Sequence, residues 1–200
     1  MSQGFVQPIP LPLPINNGGT GAVTAPLALA NLGLIATAAN LNLLTSASQT
    51  VVQHVYFQTG VSSIGQTAIP YDDTIPQITE GVQFMSLAIT PKNSSNILKI
   101  ECEFVGGSSI AGDIITLALF QDSIANALAA TPLYMKDGDL PSTAVLVFYM
   151  VAGTTSSTTF RIRAGITSGS PAAITFNGAA TVRKYGGVAA SSLRITELTP

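Results

Sequence analysis

The first 71 residues contain no aspartate, glutamate, lysine or arginine, and all eight basic and ten acidic residues lie between Asp72 and Glu197. A free, solvated segment of this length normally carries charge, which keeps it in solution. A segment without charge that is rich in Leu, Ala, Ile and Pro is expected to be ordered against other protein. The sequence therefore predicts an apolar docking arm at the front of the chain and a globular domain behind it.

Charge is scarce even in the second part of the chain. Charged residues make up 9% of the sequence, against about a quarter in an ordinary domain. A surface so poor in charge tends to self-associate. The net charge of −2 provides no basic field, so neither nucleic acid nor an anionic membrane is expected as a partner.

Residues that commonly carry catalysis are also rare. The chain has one histidine, one cysteine and no tryptophan. His54 falls in a predicted strand and no nucleophile elbow accompanies it, so it is expected to face solvent or a subunit interface. Near a threefold axis, three copies of it would instead bind a metal or make a pH-sensitive contact. Cys102 is expected in the core, where it acts as a small hydrophobe. We expect no enzyme activity and no cofactor.

No stretch has the composition of a membrane span. Residues 26–44 are the most apolar candidate, but Asn31, Gly33, Asn40 and Asn42 interrupt them, and a spanning helix needs about 20 mostly apolar residues. Prolines in the first 15 residues break any signal-peptide core. We expect a soluble chain without a classical signal and without membrane insertion.

Proline alternates with aliphatic residues near the start of the chain. The docking arm proper reads Pro8, Ile9, Pro10, Leu11, Pro12, Leu13, Pro14, Ile15. In an extended strand the prolines remove every N–H donor from one edge and leave the donors on the other edge. Such a segment suits β-strand addition to a partner on one side. A stiff polyproline-like linker is the alternative.

Residues 16–50 combine a glycine-rich turn with a short helix. Gly18, Gly19 and Gly21 favour a turn that works as a hinge, and their spacing does not match a phosphate-binding loop. Thr24 as N-cap and Gly33 as stop predict a helix of two turns, and a second short helix is expected over residues 37–44. Because such helices are unstable alone, we expect trimer contacts through the apolar residues Leu27, Leu29, Leu32 and Leu34.

This element resembles one found in bacteriophage tail-fibre proteins. The residues that carry the likeness are the run Asn16-Asn17-Gly18-Gly19-Thr20-Gly21-Ala22 and, after an alanine-rich turn, Asn31-Leu32-Gly33-Leu34. In those proteins the element lies between a virion-attachment region and the next fibre domain. The resemblance implies a fibre-type structural protein whose residues 1–34 contact another virion protein.

Residues 51–200 repeat short alternating runs divided by Gly, Pro, Ser, Asn and Asp. Alternation predicts strands with one buried face, here over residues 51–59, 83–90, 97–105, 114–121, 144–152, 158–165, 172–177, 180–185 and 191–198. Residues 83–90 and 97–105 are expected to form a hairpin, and residues 125–130 are a candidate helix. Many short strands and no long helix predict a mainly β fold, an antiparallel sandwich.

Two features of these strands bear on assembly. Residues 144–151 are apolar throughout, which suggests that one face meets the core and the other a neighbouring subunit. Glu101 and Glu103 share a wet strand face, as do Arg161 and Arg163. If the two strands are neighbours, within or between subunits, their charges form a ladder; otherwise each is a solvated face.

The domain also resembles the C-terminal β-sandwich of phage fibre and receptor-binding proteins. The likeness is carried by residues 68–77, Glu80-Gly81, Phe84-Met85, residues 88–91, residues 118–122 and residues 193–198. It implies a jelly-roll fold of the tumour-necrosis-factor or C1q type, usually trimeric. It does not identify ligand-binding residues.

Acidic pairs and one polar segment are the candidate sites of the domain. Asp72-Asp73 and Asp137-Gly138-Asp139 fit turns, with a cation site or two glycosidase carboxylates as alternatives. A polar segment between two apolar runs suits recognition. Its residues Tyr134, Lys136, Asp137 and Asp139 form the predicted receptor loop.

The sequence as a whole predicts a homotrimeric phage tail fibre or spike, made in the host cytoplasm and carried on the virion. Residues 1–15 form the docking arm, residues 16–50 the hinge and trimerisation element, and residues 51–200 the β-sandwich knob. The knob is expected to bind a host cell-surface glycan or protein. The alternative is a capsid fibre, decoration or tail-collar protein without a receptor role.

Overall fold

The computed structural model describes residues 19–33, 49–167 and 172–200. The predicted docking arm over residues 8–15 and the second short helix over residues 37–44 lie outside these ranges. The chain divides into two compact units, Met1–Ser48 and Gln49–Pro200.

The first unit contains helix α1 (Ala25–Asn31), at the position that the sequence predicts. Thr24 is the N-cap with extended backbone angles, although its side chain makes no capping hydrogen bond. Gly33 follows the helix with a φ of +72°, a conformation that glycine adopts without strain. Among the described residues, no helix is long and apolar enough to cross a membrane.

The second unit is a mainly β, antiparallel sandwich. Its strands, within the described ranges, are β1 (Val51–Thr59), β2 (Ser63–Gly65), β3 (Val82–Ile89), β4 (Ile97–Ser108), β5 (Ile114–Gln121), β6 (Ala129–Tyr134), β7 (Ser142–Val151), β8 (Thr158–Ile166), β9 (Ile174–Phe176), β10 (Gly178–Ala179), β11 (Val182–Arg183) and β12 (Ser191–Leu198). The sandwich predicted from the alternating pattern is therefore confirmed.

Sheet I is built around the long strand β4. On one side β4 pairs with β7 over ten residues. On the other side it pairs first with β12 and then with β9. β1 and β2 continue the sheet beyond β12 and β9, while β10 and β11 form a separate two-residue ladder.

Sheet II has the order β3-β8-β5-β6, and all its pairs are antiparallel. β6 is an edge strand, which suits Pro132 because proline cannot donate to a ladder. The chain crosses repeatedly between the sheets, so that β1, β4, β7 and β12 lie in sheet I and β3, β5, β6 and β8 in sheet II.

The core lies between the sheets and is formed by the inward residues of both. Phe104, Phe176 and the half-buried Phe84 form an aromatic cluster with ring centroids 5.2–5.8 Å apart. Aromatic pairs at this spacing add about 0.5–1.5 kcal/mol beyond their buried area. The other large, fully buried core side chains include Leu98, Ile100, Ile115, Leu117, Leu119, Met135, Phe160, Ile162, Leu193 and Ile195.

The predicted hairpin of residues 83–90 with 97–105 is wrong. β3 pairs with β8 in sheet II, whereas β4 belongs to sheet I. The connecting residues 90–96 cross from one sheet to the other. Both strands bury an apolar face, and they lie on opposite sides of the core. Although they are consecutive in the sequence, they therefore do not pair with each other.

Two further expectations are corrected. Residues 125–130 do not form a helix. Strand β6 begins at Ala129, and the backbone N–H of Ala127 donates a hydrogen bond to the Pro76 carbonyl at 2.9 Å. Within the chain, the charges of Glu101 and Glu103 do not form a ladder with those of Arg161 and Arg163, because β4 and β8 lie in different sheets.

Candidate functional site

The outer face of strand β7 carries a row of exposed apolar side chains. Val145, Val147, Tyr149 and Val151 are 62%, 47%, 54% and 54% exposed. The alternate residues Ala144 and Leu146 are buried in the core. We call the four exposed residues the β7 apolar strip. The prediction that one face of this run meets the core is confirmed, and the predicted subunit contact of the other face stays a prediction.

Charged residues lie beside the β7 apolar strip on the neighbouring strands. Lys99 Nζ is 2.9 Å from Glu101 Oε1 and 5.9 Å from the centre of the Tyr149 ring. The hydrogen bond that Lys99 donates to the Glu101 carboxylate raises the pKa of Lys99. Arg194 reaches Glu103 at 3.7 Å. Exposed pairs of this kind contribute only about 0.2–1 kcal/mol each, so their role is in orientation and partner choice.

The register arranges these residues in rows across sheet I. Glu101 lies opposite Val147 on β7 and opposite Arg194 on β12. Arg194 in turn lies opposite Tyr56 on β1, which is 70% exposed. The outer face of sheet I thus has an apolar edge, a charged centre and an aromatic edge. It offers complementary groups of both signs to a second surface.

His54 and Cys102 take the positions expected from the sequence. His54 is exposed on β1, with Nδ1 2.9 Å from Thr196 Oγ1. Cys102 is fully buried, and burial raises the pKa of its thiol to about 12, which disfavours a reactive thiolate. No cluster of three or more His, Cys, Asp or Glu residues that suits a metal occurs in the described part of the chain.

The acidic pairs form turns, as predicted. Asp72 Oδ1 accepts hydrogen bonds from the Thr74 backbone N–H at 2.9 Å and from its hydroxyl at 2.5 Å. These bonds lower the pKa of Asp72. Asp137 Oδ1 accepts the backbone N–H of Asp139 at 3.1 Å. Both are Asx turns, in which the carboxylate orders its own loop.

Three residues of the predicted receptor loop lie together. Tyr134, Lys136 and Asp137 line an open depression of about 300 Å³ with Leu140 and Ser142. Asp139 is exposed and reaches this group through its bond to Asp137. Tyr134 is 63% exposed. The loop is well placed to meet another molecule, and its contact with a receptor stays a prediction.

In the first unit, the two halves of the predicted fibre element touch. Asn31 Nδ2 donates to the Thr20 carbonyl at 2.8 Å, so the helix end is tied to the glycine-rich turn. Gly21 has a φ of +66°, while Gly18 lies outside the described residues. Of the predicted trimer contacts, Leu27 and Leu32 are 49% and 58% exposed. Leu29 lies in α1, and Leu34 falls outside the described ranges.

Comparisons with known proteins do not assign a family. No family model matches the chain, and no curated protein matches it in sequence. Among solved structures, dimeric latent PorU from Porphyromonas gingivalis is similar at 9% identity with a TM-score of 0.39, over 75% of this chain and 13% of that one. The VP2 subviral particle of infectious bursal disease virus is similar at 9% identity and 0.34, over 75% and 42%.

A third similar structure is the enzymatically active domain of tailspike protein 4 from bacteriophage CBA120, at 14% identity and a TM-score of 0.27, over 65% of this chain and 19% of that one. The chain therefore spans less than half the length of each of these structures. Likeness at these TM-scores defines neither a family nor a function for this chain.

One feature of the second unit has no counterpart among the sequence predictions. Residues 66–81 cross the outer face of sheet II and bury part of it, with Ile69 packed on Ala118 and Phe120. The available signal was strand β5, in which Ala118 and Phe120 at outward positions are apolar like the inward residues. It shows that both faces of β5 are covered, and it does not say by which residues.

Proposed function

We propose that this chain is a subunit of a homotrimeric fibre or spike of a tailed bacteriophage. Residues 1–34 anchor it to another virion protein. The sandwich of residues 51–200 is the distal knob, which adheres to a host cell-surface glycan or protein. The chain acts by binding, and its mechanism requires no reaction.

The observation that carries this proposal is the outer face of sheet I. Four large apolar side chains are exposed there beside charges of both signs. Contiguous apolar surface rimmed by polar residues marks protein interaction sites. A neighbouring copy of this chain is a fitting occupant. About a threefold axis each contact joins two different patches, and this face offers an apolar edge and an aromatic edge on either side of charges of both signs.

The strand order supports the trimeric knob more specifically. Apart from the short strands β9 and β2, sheet I runs β1-β12-β4-β7, and sheet II runs β3-β8-β5-β6. Two layers of four strands are what an eight-stranded jelly roll requires. The resemblance of the sequence to phage fibre knobs, which are usually trimeric, points in the same direction. Three knobs on one spike bind a repetitive surface with avidity, even when each contact is weak.

The direct test of assembly is the absolute mass in solution, measured by light scattering on the full chain. We expect three chains for the native sequence and one chain for Val147→Asp. A carboxylate at this position would be buried without a partner in the interface, which costs several kcal/mol. The same measurement on a truncated chain that begins at Gln49 shows whether the sandwich alone suffices.

Val182→Asp is the matched control. Val182 is 56% exposed, similar to the β7 apolar strip, but it lies on β11. We expect its mass to remain that of three chains. A monomeric native chain, or equal dissociation by both substitutions, would contradict the proposed interface.

The location of the chain is tested on purified particles. We expect antibodies to the knob to label the tail of intact virions and to block adsorption to host cells. Labelling of the capsid or collar, with adsorption unchanged, would favour a structural protein without a receptor role.

A further inference from the structure

Residues 70–76 roof a pocket on the outer face of sheet II. The pocket measures about 150 Å³ and lies between this segment and strands β5 and β6. A second pocket of about 400 Å³ adjoins it, since Asp72, Thr74, Pro76 and Ala130 line both. Together they form a short groove, which we call the β5–β6 groove.

The roof of the groove is fixed at both ends. At one end the Ile69 N–H donates to the Ile166 carbonyl at 3.3 Å, and the Gly81 N–H donates to the Ala68 carbonyl at 2.9 Å. At the other end the Ile78 N–H donates to the Ala125 carbonyl at 2.8 Å. A site with fixed walls loses little entropy when it binds a ligand.

The floor of the pocket contains Thr116, whose environment is unusual for a buried hydroxyl group. Thr116 is 6% exposed, and its Oγ1 has no hydrogen-bond partner within the described residues. On the strand ladder it lies between Pro132, whose ring has no polar side-chain atom, and Gly165, which has no side chain. A buried hydroxyl without a partner is destabilising, and a hydrogen bond to a ligand hydroxyl would remove that penalty. A change of the χ1 rotamer moves the threonine hydroxyl to another staggered position, from which it can face the pocket.

The walls supply a carboxylate and rigid apolar rings. Asp72 uses only Oδ1 for its bonds to Thr74, and Oδ2 has no partner in the described chain. Tyr71 is 60% exposed beside the pocket, and Pro70, Pro76 and Pro132 add flat apolar surface. Tyrosine offers an apolar ring with a polar tip. This combination suits a ligand that has an apolar face and several hydroxyl groups.

We propose that the β5–β6 groove binds a neutral sugar residue of a glycan. The C–H face of the sugar packs on the Tyr71 ring and the prolines, and its hydroxyl groups pair with Asp72 Oδ2 and the Thr116 hydroxyl. No lysine or arginine of the described chain lines either pocket, whereas Asp72 and Asp73 are acidic. The charge of the groove therefore favours a neutral sugar over an anionic one.

This inference rests on the proposed adhesion function and deepens it, because it names the ligand class and places the site. It also differs from the sequence-predicted receptor loop at Tyr134. The test therefore compares two tyrosines of similar exposure, Tyr71 at 60% and Tyr134 at 63%.

The experiment is saturation-transfer NMR, followed by titration, on the full chain. The probes are single neutral sugars: common hexoses, 6-deoxyhexoses and N-acetylhexosamines. N-acetylneuraminic acid is the anionic comparison. We expect at least one neutral sugar to bind and the anionic sugar to remain unbound. Tyr71→Ala and Thr116→Val are each expected to weaken binding about tenfold or more, and Tyr134→Ala to leave it within about twofold.

Thr116→Val separates binding from folding. Valine has the same shape and removes only the hydroxyl, so the melting temperature is expected to stay equal or rise, since an unpartnered buried hydroxyl is lost. If this variant fails to fold, the surface variant Tyr71→Ala still decides the test. The inference is overturned when no neutral sugar binds, when both groove variants bind as well as the native chain, or when only Tyr134→Ala abolishes binding.

Failure of this inference is distinguishable from failure of the proposed function. If antibodies to the knob label virion tails and block adsorption but the chain binds no sugar in the groove, the adhesion role stands and the groove proposal is refuted. A chain that binds sugar in the groove yet is missing from virions refutes the fibre proposal alone.

Discussion

The two outer faces of the sandwich differ in what covers them. On sheet II, the chain's own residues 66–81 cover the face, and Ala118 and Phe120 beneath them are fully buried. On sheet I, Val145 and Tyr149 of the β7 apolar strip stay more than half exposed. Both faces carry apolar side chains at outward strand positions. The comparison shows that an apolar side chain at an outward strand position favours burial, but the sequence pattern does not specify whether the same chain buries it.

Glycine explains how closely the intramolecular cover fits. A Cβ atom at Gly165 would lie 2.3 Å from the Ile69 backbone nitrogen, so no other residue allows the segment to lie on β8 at this distance. Arg163 fixes the far end of the segment, with Nε 2.7 Å from the Glu80 carbonyl and a terminal nitrogen 2.7 Å from that of Gly81. On sheet I, a Cβ atom at Gly107 would lie 2.8 Å from the Ala179 Cβ, so residues 178–179 cover β4 at that position, while the β7 apolar strip stays exposed.

The largest effect is expected from removing the anchor of the covered face. Ile69 is fully buried, so Ile69→Ala should lower the free energy of unfolding by about 3 kcal/mol. Ile75→Ala is the control on the same segment, because Ile75 is 56% exposed, and its effect should stay within about 0.5 kcal/mol. Denaturant unfolding at one fixed protein concentration measures both. Equal effects would mean that the segment does not seal sheet II.

A smaller effect is expected at the connection between the two sheets. Residues 90–96 lead from β3 to β4, and Glu197 on β12 accepts hydrogen bonds from Asn96 Nδ2 at 2.6 Å and from the Lys92 N–H at 2.8 Å. Burial opposes ionisation of Glu197, but the bonds from Asn96, Gln53 and residues 92–93 outweigh it and lower the pKa. Glu197→Gln should cost about 2 kcal/mol at neutral pH, since an amide N–H₂ would face N–H donors.

The pH dependence follows from the sign of this shift. Because the pKa of Glu197 is lower in the folded state than its ordinary value of 4.5, its contribution is fully present above that value. It is lost as the pH falls through the folded pKa. In thermal melts, the difference between the native chain and Glu197→Gln should therefore shrink below about pH 4.5. A constant difference down to the acid limit would contradict the assignment.

The smallest effect is expected from the charges on the bare face. Glu103→Gln removes the pair with Arg194 at 3.7 Å, and the free energy of unfolding of a single chain should change by less than about 0.5 kcal/mol. If a second copy covers this face, the same change should alter the dissociation of the assembly, and more at low salt than at high salt. Light scattering across a dilution series measures this. Dissociation that is independent of salt in both proteins would exclude these charges from the interface.

The strands were largely predictable because alternation records burial directly. Leu98, Ile100, Cys102 and Phe104 face the core, as their spacing predicts, and β1, β5 and β12 begin and end where the pattern does. Strand β6 was missed because Pro132 and the small residues before it give a weak β signal, and pairing with β5 compensates for it. Of the proposed sites, the Tyr134 loop followed from its polarity. The β5–β6 groove did not, since Tyr71, Thr116 and Pro132 are far apart in the sequence.

The sequence by itself determined which residues need burial: the period of two in each strand, the charge-free first part and the glycine-rich turn before α1 are local properties of the chain. Only the tertiary structure decided what each face meets. Residues 90–96 cross between the sheets, residues 66–81 cover sheet II, and the β7 apolar strip on sheet I stays exposed. The reason is physical: hydrophobic burial has no direction, so the pattern states that a side chain must be covered, and only the packing of distant segments determines what covers it.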